Sequence, residues 1–246
     1  NDILCRAKKR GFKMCLYENI DSSWKDFFTD EIKDELDKIE EKIGDNFYPR
    51  KENVLRFAKT NFNNLKCVIV GMDPYPSDYI KDGVLIPEAT GRSFEVSSLL
   101  DKTWNTKFKQ SSLRNMLKTV YFNETGINKS LEDIRTYIEN KTFDIKQPAD
   151  WFNSLENQGV LFLNATLTVI PGKPDSHTKI WQNFMEKLIP FIDNKDVKWL
   201  LWGDKAQKRV LPLIDANNAI CCVHPRIASF VEENPFGKIK DINWKG

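Results

Sequence analysis

Three residues of complementary chemistry each follow a short apolar run: an acid at Asp73, an amide at Asn164 and an imidazole at His224. Cys67-Val-Ile-Val-Gly71 leads into Met72-Asp-Pro-Tyr-Pro76, Val160-Leu-Phe-Leu163 into Asn164, and Ala219-Ile-Cys-Cys-Val223 into His224-Pro225. A carboxylate can orient or deprotonate water, a carboxamide offers an acceptor and a donor pair, and an imidazole donates or accepts a proton near neutral pH. Each residue also has a plainer reading. Asp and Pro are common turn residues, a strand-terminal Asn can cap its own backbone, and a lone His is often a packed bystander. A fourth run, Val197-Lys-Trp-Leu-Leu201, ends in Trp202-Gly203, which reads as core packing and the start of a helix.

Bounded apolar runs of this length, separated by helix-like segments, read as buried strands. Open α/β sheets bind ligands beyond the carboxyl ends of their strands, so the acid, amide and imidazole should meet at one edge. Trp24, Phe27, Phe28, Ile32, Leu36, Ile39 and Ile43 recur at helical spacing, with Ser23 and Asp26 as a loose capping box. Further helices are expected near residues 50–60, 111–122, 130–139, 177–192 and 204–213. The resulting expectation is an α/β fold: a central four-stranded, mostly parallel twisted sheet with helices on both faces. The stretch from Pro76 to Phe94, with Gly83, Pro87 and Gly91, reads as one long loop.

Composition narrows the classes. The 246 residues can bury a substantial core, and no Gly/Ser-rich linker divides them, so one domain over residues 20–246 is expected after a basic extension over 1–19. The basic cluster from Arg6 to Lys13 reads as solvated surface. With 37 basic against 35 acidic residues the chain carries +2, which argues against a tail-driven polyanion binder but permits a local basic patch. Five cysteines without a CxxC pair and only two histidines, His177 and His224, speak against a zinc or iron–sulfur site, and no cofactor is expected. The odd cysteine count fits a reducing compartment. No apolar stretch approaches the roughly 18 residues of a membrane span, and no secretory signal is expected. A soluble intracellular protein is expected, in the cytoplasm of a prokaryote or the nucleus of a eukaryote.

The motifs gain weight in order. Gly71-x-Asp-Pro-Tyr75 is followed by Ser93-Phe94-Glu-Val96, Ser112-Leu113-x-Asn115, Gly159-Val-Leu-Phe-Leu-Asn164-Ala-Thr-Leu-Thr168, Leu200-Leu-Trp-Gly203 with Ala206-Gln207, and His224-Pro225. Over roughly residues 20–246 this series resembles the family-1 uracil-DNA glycosylases. The resemblance implies hydrolysis of the bond between deoxyribose and uracil in DNA, the first step of base excision repair, with the nucleotide flipped out of the stack. It implies Asp73 as the carboxylate that orients water and opposes positive charge on the sugar, and His224 as the donor to the departing base. Asn164 would accept from uracil N3–H and donate to O4, Tyr75 would exclude the thymine methyl, Phe94 would stack on the base, and the Met72 amide would touch it. Pro76, Ser112, Ser176, His177, Arg226, Ile227, Ala228 and Ser229 would contact DNA, while Lys173, Lys205, Lys208 and Arg209 read as solvated surface or basic rim.

Two departures stand out. Pro76 occupies a position that is usually histidine in the family, as it does in poxvirus members, and the loop up to Gly91 is longer than usual. In His224-Pro-Arg-Ile-Ala-Ser229 a small alanine, Ala228, stands where the family commonly has the leucine that enters the gap left by the flipped base. Ile227 or Arg226 could take over that task, or flipping is less assisted, so single-stranded DNA is expected to be preferred to duplex. A monomer is expected, open to a proteinaceous inhibitor. The alternatives are a relative directed at another damaged base, and a DNA-binding or polymerase-accessory protein with weak or lost catalysis.

Overall fold

The computed structural model describes residues 15–246, so the basic cluster from Arg6 to Lys13 lies outside the described residues. Four strands, β1 (Cys67–Gly71), β4 (Val160–Asn164), β5 (Lys198–Trp202) and β6 (Ala219–Cys222), form an all-parallel sheet in the order β4-β1-β5-β6. Their side chains alternate between two cores. Val68, Val70, Leu161, Leu163, Trp199 and Leu201 enter one, whereas Cys67, Ile69, Val160, Phe162, Leu200 and Trp202 enter the other. A strand covered on both faces must be apolar throughout, which explains the uninterrupted runs.

The first core is closed by helices α1 (Asp30–Ile43), α5 (Thr178–Asp193) and α6 (Asp204–Val210). The second is closed by α2 (Ser111–Thr125), α3 (Leu131–Glu139), α4 (Pro148–Asn157) and the short α7 (Phe230–Glu233). Chain order against spatial order reverses direction at β1, so a crevice opens between the ends of β1 and β5. The α/β architecture and the four-stranded sheet are as expected from the sequence.

Several local expectations are corrected. Helix α1 begins at Asp30 with Thr29 as its cap, not at Ser23: Ser22–Trp24 is a 3-10 turn capped by Asp21. Trp24, Phe27 and Phe28 are all buried, and the Trp24 indole donates to the Thr60 carbonyl at 2.8 Å, a set of contacts that one helical face does not provide. Residues 50–60 form two 3-10 turns, Lys51–Asn53 and Arg56–Lys59. There Val54, Leu55, Phe57 and Ala58 are all buried, again more than one helical stripe accommodates. Helix α4 lies outside every helical range expected from the sequence. The supposed long loop holds an antiparallel hairpin, β2 (Asp78–Lys81) and β3 (Val84–Pro87), turned by Asp82 and Gly83 with φ of +52° and +77°. Asp-Gly is favoured in such two-residue turns because both positions need positive φ.

Candidate active site

In-register pairing sets the site. Gly71 pairs with Asn164 across β1 and β4, and Trp202 with Cys222 across β5 and β6, so all four strands end along one edge. Asp73 follows two residues after Gly71 and His224 two residues after Cys222. Asp73, Asn164 and His224 thereby line a single cavity of about 630 Å³, together with Met72, Tyr75 and Phe94.

Asp73 and Tyr75 each precede a proline, which disfavours helical backbone and keeps this loop extended over the cavity. The loop is tied to the end of β4, where Ala165 N–H donates to the Gly71 carbonyl and Thr166 N–H to that of Met72, each at 2.9 Å. Asp73 Oδ2 accepts from the Asp175 N–H at 3.2 Å, while Oδ1 is buried without a partner among the described residues. Burial first, then the neighbouring Asp175 carboxylate, push the Asp73 carboxyl above its usual range, and the Asp175 amide and Thr166 hydroxyl pull against that. A buried acceptor left open beside a cavity is suited to hold a water.

Asn164 is only 4 % exposed, yet no described residue hydrogen-bonds its carboxamide. Its place depends on Gly71: a Cβ there would lie 2.4 Å from Asn164 Oδ1 and 2.8 Å from Ser93 Cβ. Open donors and acceptor on a buried amide leave it free to read a planar ligand edge.

His224 presents a defined tautomer. Its Nδ1 accepts from the Arg226 N–H at 3.2 Å, so the ring proton sits on Nε2 and can be donated. Burial and the Arg226 charge hold the imidazole below its ordinary value, which keeps it neutral at pH 7. Gly203 admits the ring's backbone, since a Cβ at that position would lie 2.9 Å from His224 Cβ. Trp202, read from sequence as core alone, also lines the cavity and meets Phe94 at 5.3 Å between ring centroids.

Phe94 is held at φ +64°, an uncommon conformation for an aromatic residue. A buried ionic network beside it fixes the segment: Arg92 bonds Glu95 at 2.9 Å and Asn153 at 2.8 Å and also reaches Glu156, which Arg56 contacts at 2.7 Å. Burial, followed by the Glu88 charge, raises the Tyr75 phenol to about 12, so it remains an uncharged ring in the wall.

Of the expected DNA contacts, Pro76, Ser112, Arg226 and Ile227 line the cavity. Ala228 and Ser229 lie exposed just beyond it. Ser176 and His177 do not line the cavity. Ser176 Oγ accepts from the Ile170 N–H at 2.8 Å. His177 is 4 % exposed, and its Nδ1 pairs with Thr168 Oγ1 at 2.9 Å. Three positioning residues escaped the sequence reading as such: Arg92, Asp175 and Asn115. Asn115 carried a signal, its place in Ser112-Leu113-x-Asn115, but its partners lie more than a hundred residues away. Among the described residues no cluster of three or more His, Cys, Asp and Glu could hold a metal ion, and no helix is long and apolar enough to cross a membrane.

Comparison with known proteins identifies the family and the fold. The family model for the Uracil DNA glycosylase superfamily matches residues 57–243. A uracil-DNA glycosylase of Buchnera aphidicola is 34 % identical over 172 residues, covering 68 % of this chain and 62 % of the relative, so the match spans less than two thirds of that protein. One from Idiomarina loihiensis is 33 % identical over 204 residues, 79 % of each chain. Among solved structures, the wild-type UNG of Nitratifractor salsuginis superposes with a TM-score of 0.71 at 22 % identity, over 89 % of this chain and 91 % of that one. The Y322L variant of mimivirus UNG, solved in complex with UGI, gives 0.59 at 23 % identity, over 87 % and 73 %.

Proposed function

The chain belongs to the Uracil DNA glycosylase superfamily, and on that premise we propose that it is a uracil-DNA glycosylase, a hydrolase that releases free uracil from DNA and leaves an abasic site. The observation that carries this reading is the convergence of Asp73, Asn164 and His224 on one cavity, with the Asn164 amide unclaimed by the protein.

The flipped uracil lies between Phe94 and the Asp73 loop. Asn164 Oδ1 accepts from N3–H and its NH₂ donates to O4, a pattern that cytosine does not present. Tyr75 occupies the space of a C5 methyl and rejects thymine by overlap, while the Met72 amide adds a donor to the base. As the C1′–N1 bond breaks, its electron pair passes to the base, and His224 Nε2–H stabilises the charge on O2. Preorganised donors of this kind are typically worth roughly 10²–10³ in rate. Asp73 opposes the positive charge on the sugar and orients the water whose oxygen bonds to C1′; the proton this water loses passes to the Asp73 carboxylate and, through solvent, to the released uracil anion.

Ser112, Pro76 and Arg226 flank the strand at the cavity mouth. Ala228 is too small to fill the gap in a duplex, and Ile227, 47 % exposed on the same turn, is the larger apolar side chain available. Single-stranded DNA is therefore the better substrate, because no stack has to be opened. The enzyme works as an intracellular monomer, without cofactor, and is open to inhibition by a protein such as UGI. Incubation with a single strand bearing one uracil tests the activity: free uracil and an alkali-labile site are expected, and no base release would overturn the assignment.

A further inference from the structure

Asp175 lies 102 residues from Asp73 in sequence and touches it in the fold. It adopts φ +61°, a left-handed conformation that aspartate tolerates better than most residues, and this turn aims its N–H at Asp73 Oδ2. Its own carboxylate pairs with Lys205 Nζ at 3.6 Å. Lys205 in turn borders both the catalytic cavity and a neighbouring one of about 460 Å³ that Asp175 and Met72 share. One residue thus supplies Asp73 with a favourable amide and an unfavourable charge, and a lysine from α6 moderates the second.

We propose that Asp175 is a positioning residue that forms with Asp73 a carboxylate pair moderated by Lys205, and that this pair determines the acidity below which uracil release fails. The charge of the Asp175 carboxylate opposes ionisation of Asp73 beside it. The inference rests on Asp73 acting as the catalytic carboxylate. The other charged and titratable groups around the two cavities are Tyr75 on the Asp73 loop, Asp204 on α6, and His224 and Arg226 on the last loop, with Glu186 of α5 and Lys208 and Arg209 of α6 beside Met72 and Asp175. His224 also titrates on the acid side, but the charge acting on it is that of Arg226.

The pH dependence of single-turnover uracil release from a single strand separates these contributions. Asp175→Asn keeps an amide at a left-handed position and removes the charge, so the acid limb should move to lower pH. The shift should be roughly half a pH unit, the scale of a partly exposed like-charge neighbour. Lys205→Met should move the limb the opposite way. A lower rate at every pH with an unmoved limb would make Asp175 merely structural and overturn the proposal, as would a Lys205→Met limb that stays in place. Asp73→Asn, run alongside, distinguishes the failures: if it keeps full activity the catalytic reading itself falls, and if it is inactive while Asp175→Asn leaves the limb unmoved only the pair is lost.

Discussion

Asn115 Nδ2 donates to the Pro225 carbonyl at 2.6 Å, tying helix α2 to the loop that carries His224. A second, longer contact reaches the Ile227 carbonyl at 3.4 Å. His224 can meet a leaving base only if its backbone is held, and β6 ends two residues earlier at Cys222. Asn115→Ala should therefore slow uracil release by roughly tenfold or more through misplacement of the imidazole. The lost hydrogen bond should cost about 1 kcal/mol of stability. Single-turnover rates and urea denaturation measure both, and an unchanged rate would show that the loop holds itself.

Specificity should follow the pocket walls. Asn164→Asp alters the acceptor and donor pattern and should permit some cytosine release while lowering uracil release by roughly 10²-fold or more. Tyr75→Ala should admit thymine. Base release from strands that differ only in the target base reads both, and continued exclusion of thymine would remove Tyr75 as the gate.

The turn after His224 sets how duplex DNA is handled. Uracil in a duplex should be released more slowly than in the matched single strand, and Ile227→Ala should widen that gap by roughly tenfold, the scale of a lost unstacking contact. Ala228→Leu should narrow it. Equal rates on the two substrates for the parent would contradict this assignment.

Keeping Asp73 ionised should cost stability. Its folded-state carboxyl is raised, so the folded chain holds that proton more tightly than the unfolded chain. The associated stability is present at low pH and is lost as pH rises from about 4 through the raised folded value. Asp73→Asn should then melt higher than the parent at neutral pH, by roughly 1–3 °C, with the difference shrinking as pH falls towards 4. His224 has the opposite sign: its folded value is lowered, so its contribution is lost as pH falls from about 6.5. Scanning calorimetry across this range tests the balance, and a parent more stable than Asp73→Asn at pH 7 would contradict it.

The parts readable from sequence share a physical cause. Strands β1, β4 and β5 are buried on both faces, so their boundaries coincide with the ends of apolar runs, and parallel pairing then brings Asp73, Asn164 and His224 to one edge. The hairpin carried its signal in Asp82-Gly83, but Pro76, Pro87 and Gly91 around it masked the strands. Helix α4 starts on Pro148, a favoured first-turn residue, yet Gln147 provides no side-chain cap to announce it. The pairings that support the site were not readable: Asn115 with Pro225, Asp175 with Asp73 and Arg92 with Glu156 are separated by 110, 102 and 64 residues, and no local pattern encodes such contacts.

The central claim is that Asp73 and His224 together break the bond between uracil and its sugar. Single-turnover release of free uracil from one single-stranded oligonucleotide, measured side by side for the parent, Asp73→Asn and His224→Ala, tests it most directly. The parent should release uracil fully, and each variant should be slower by roughly 10²–10⁴-fold while remaining folded. A parent that releases nothing, or folded variants that release uracil at the parent's rate, would contradict the account.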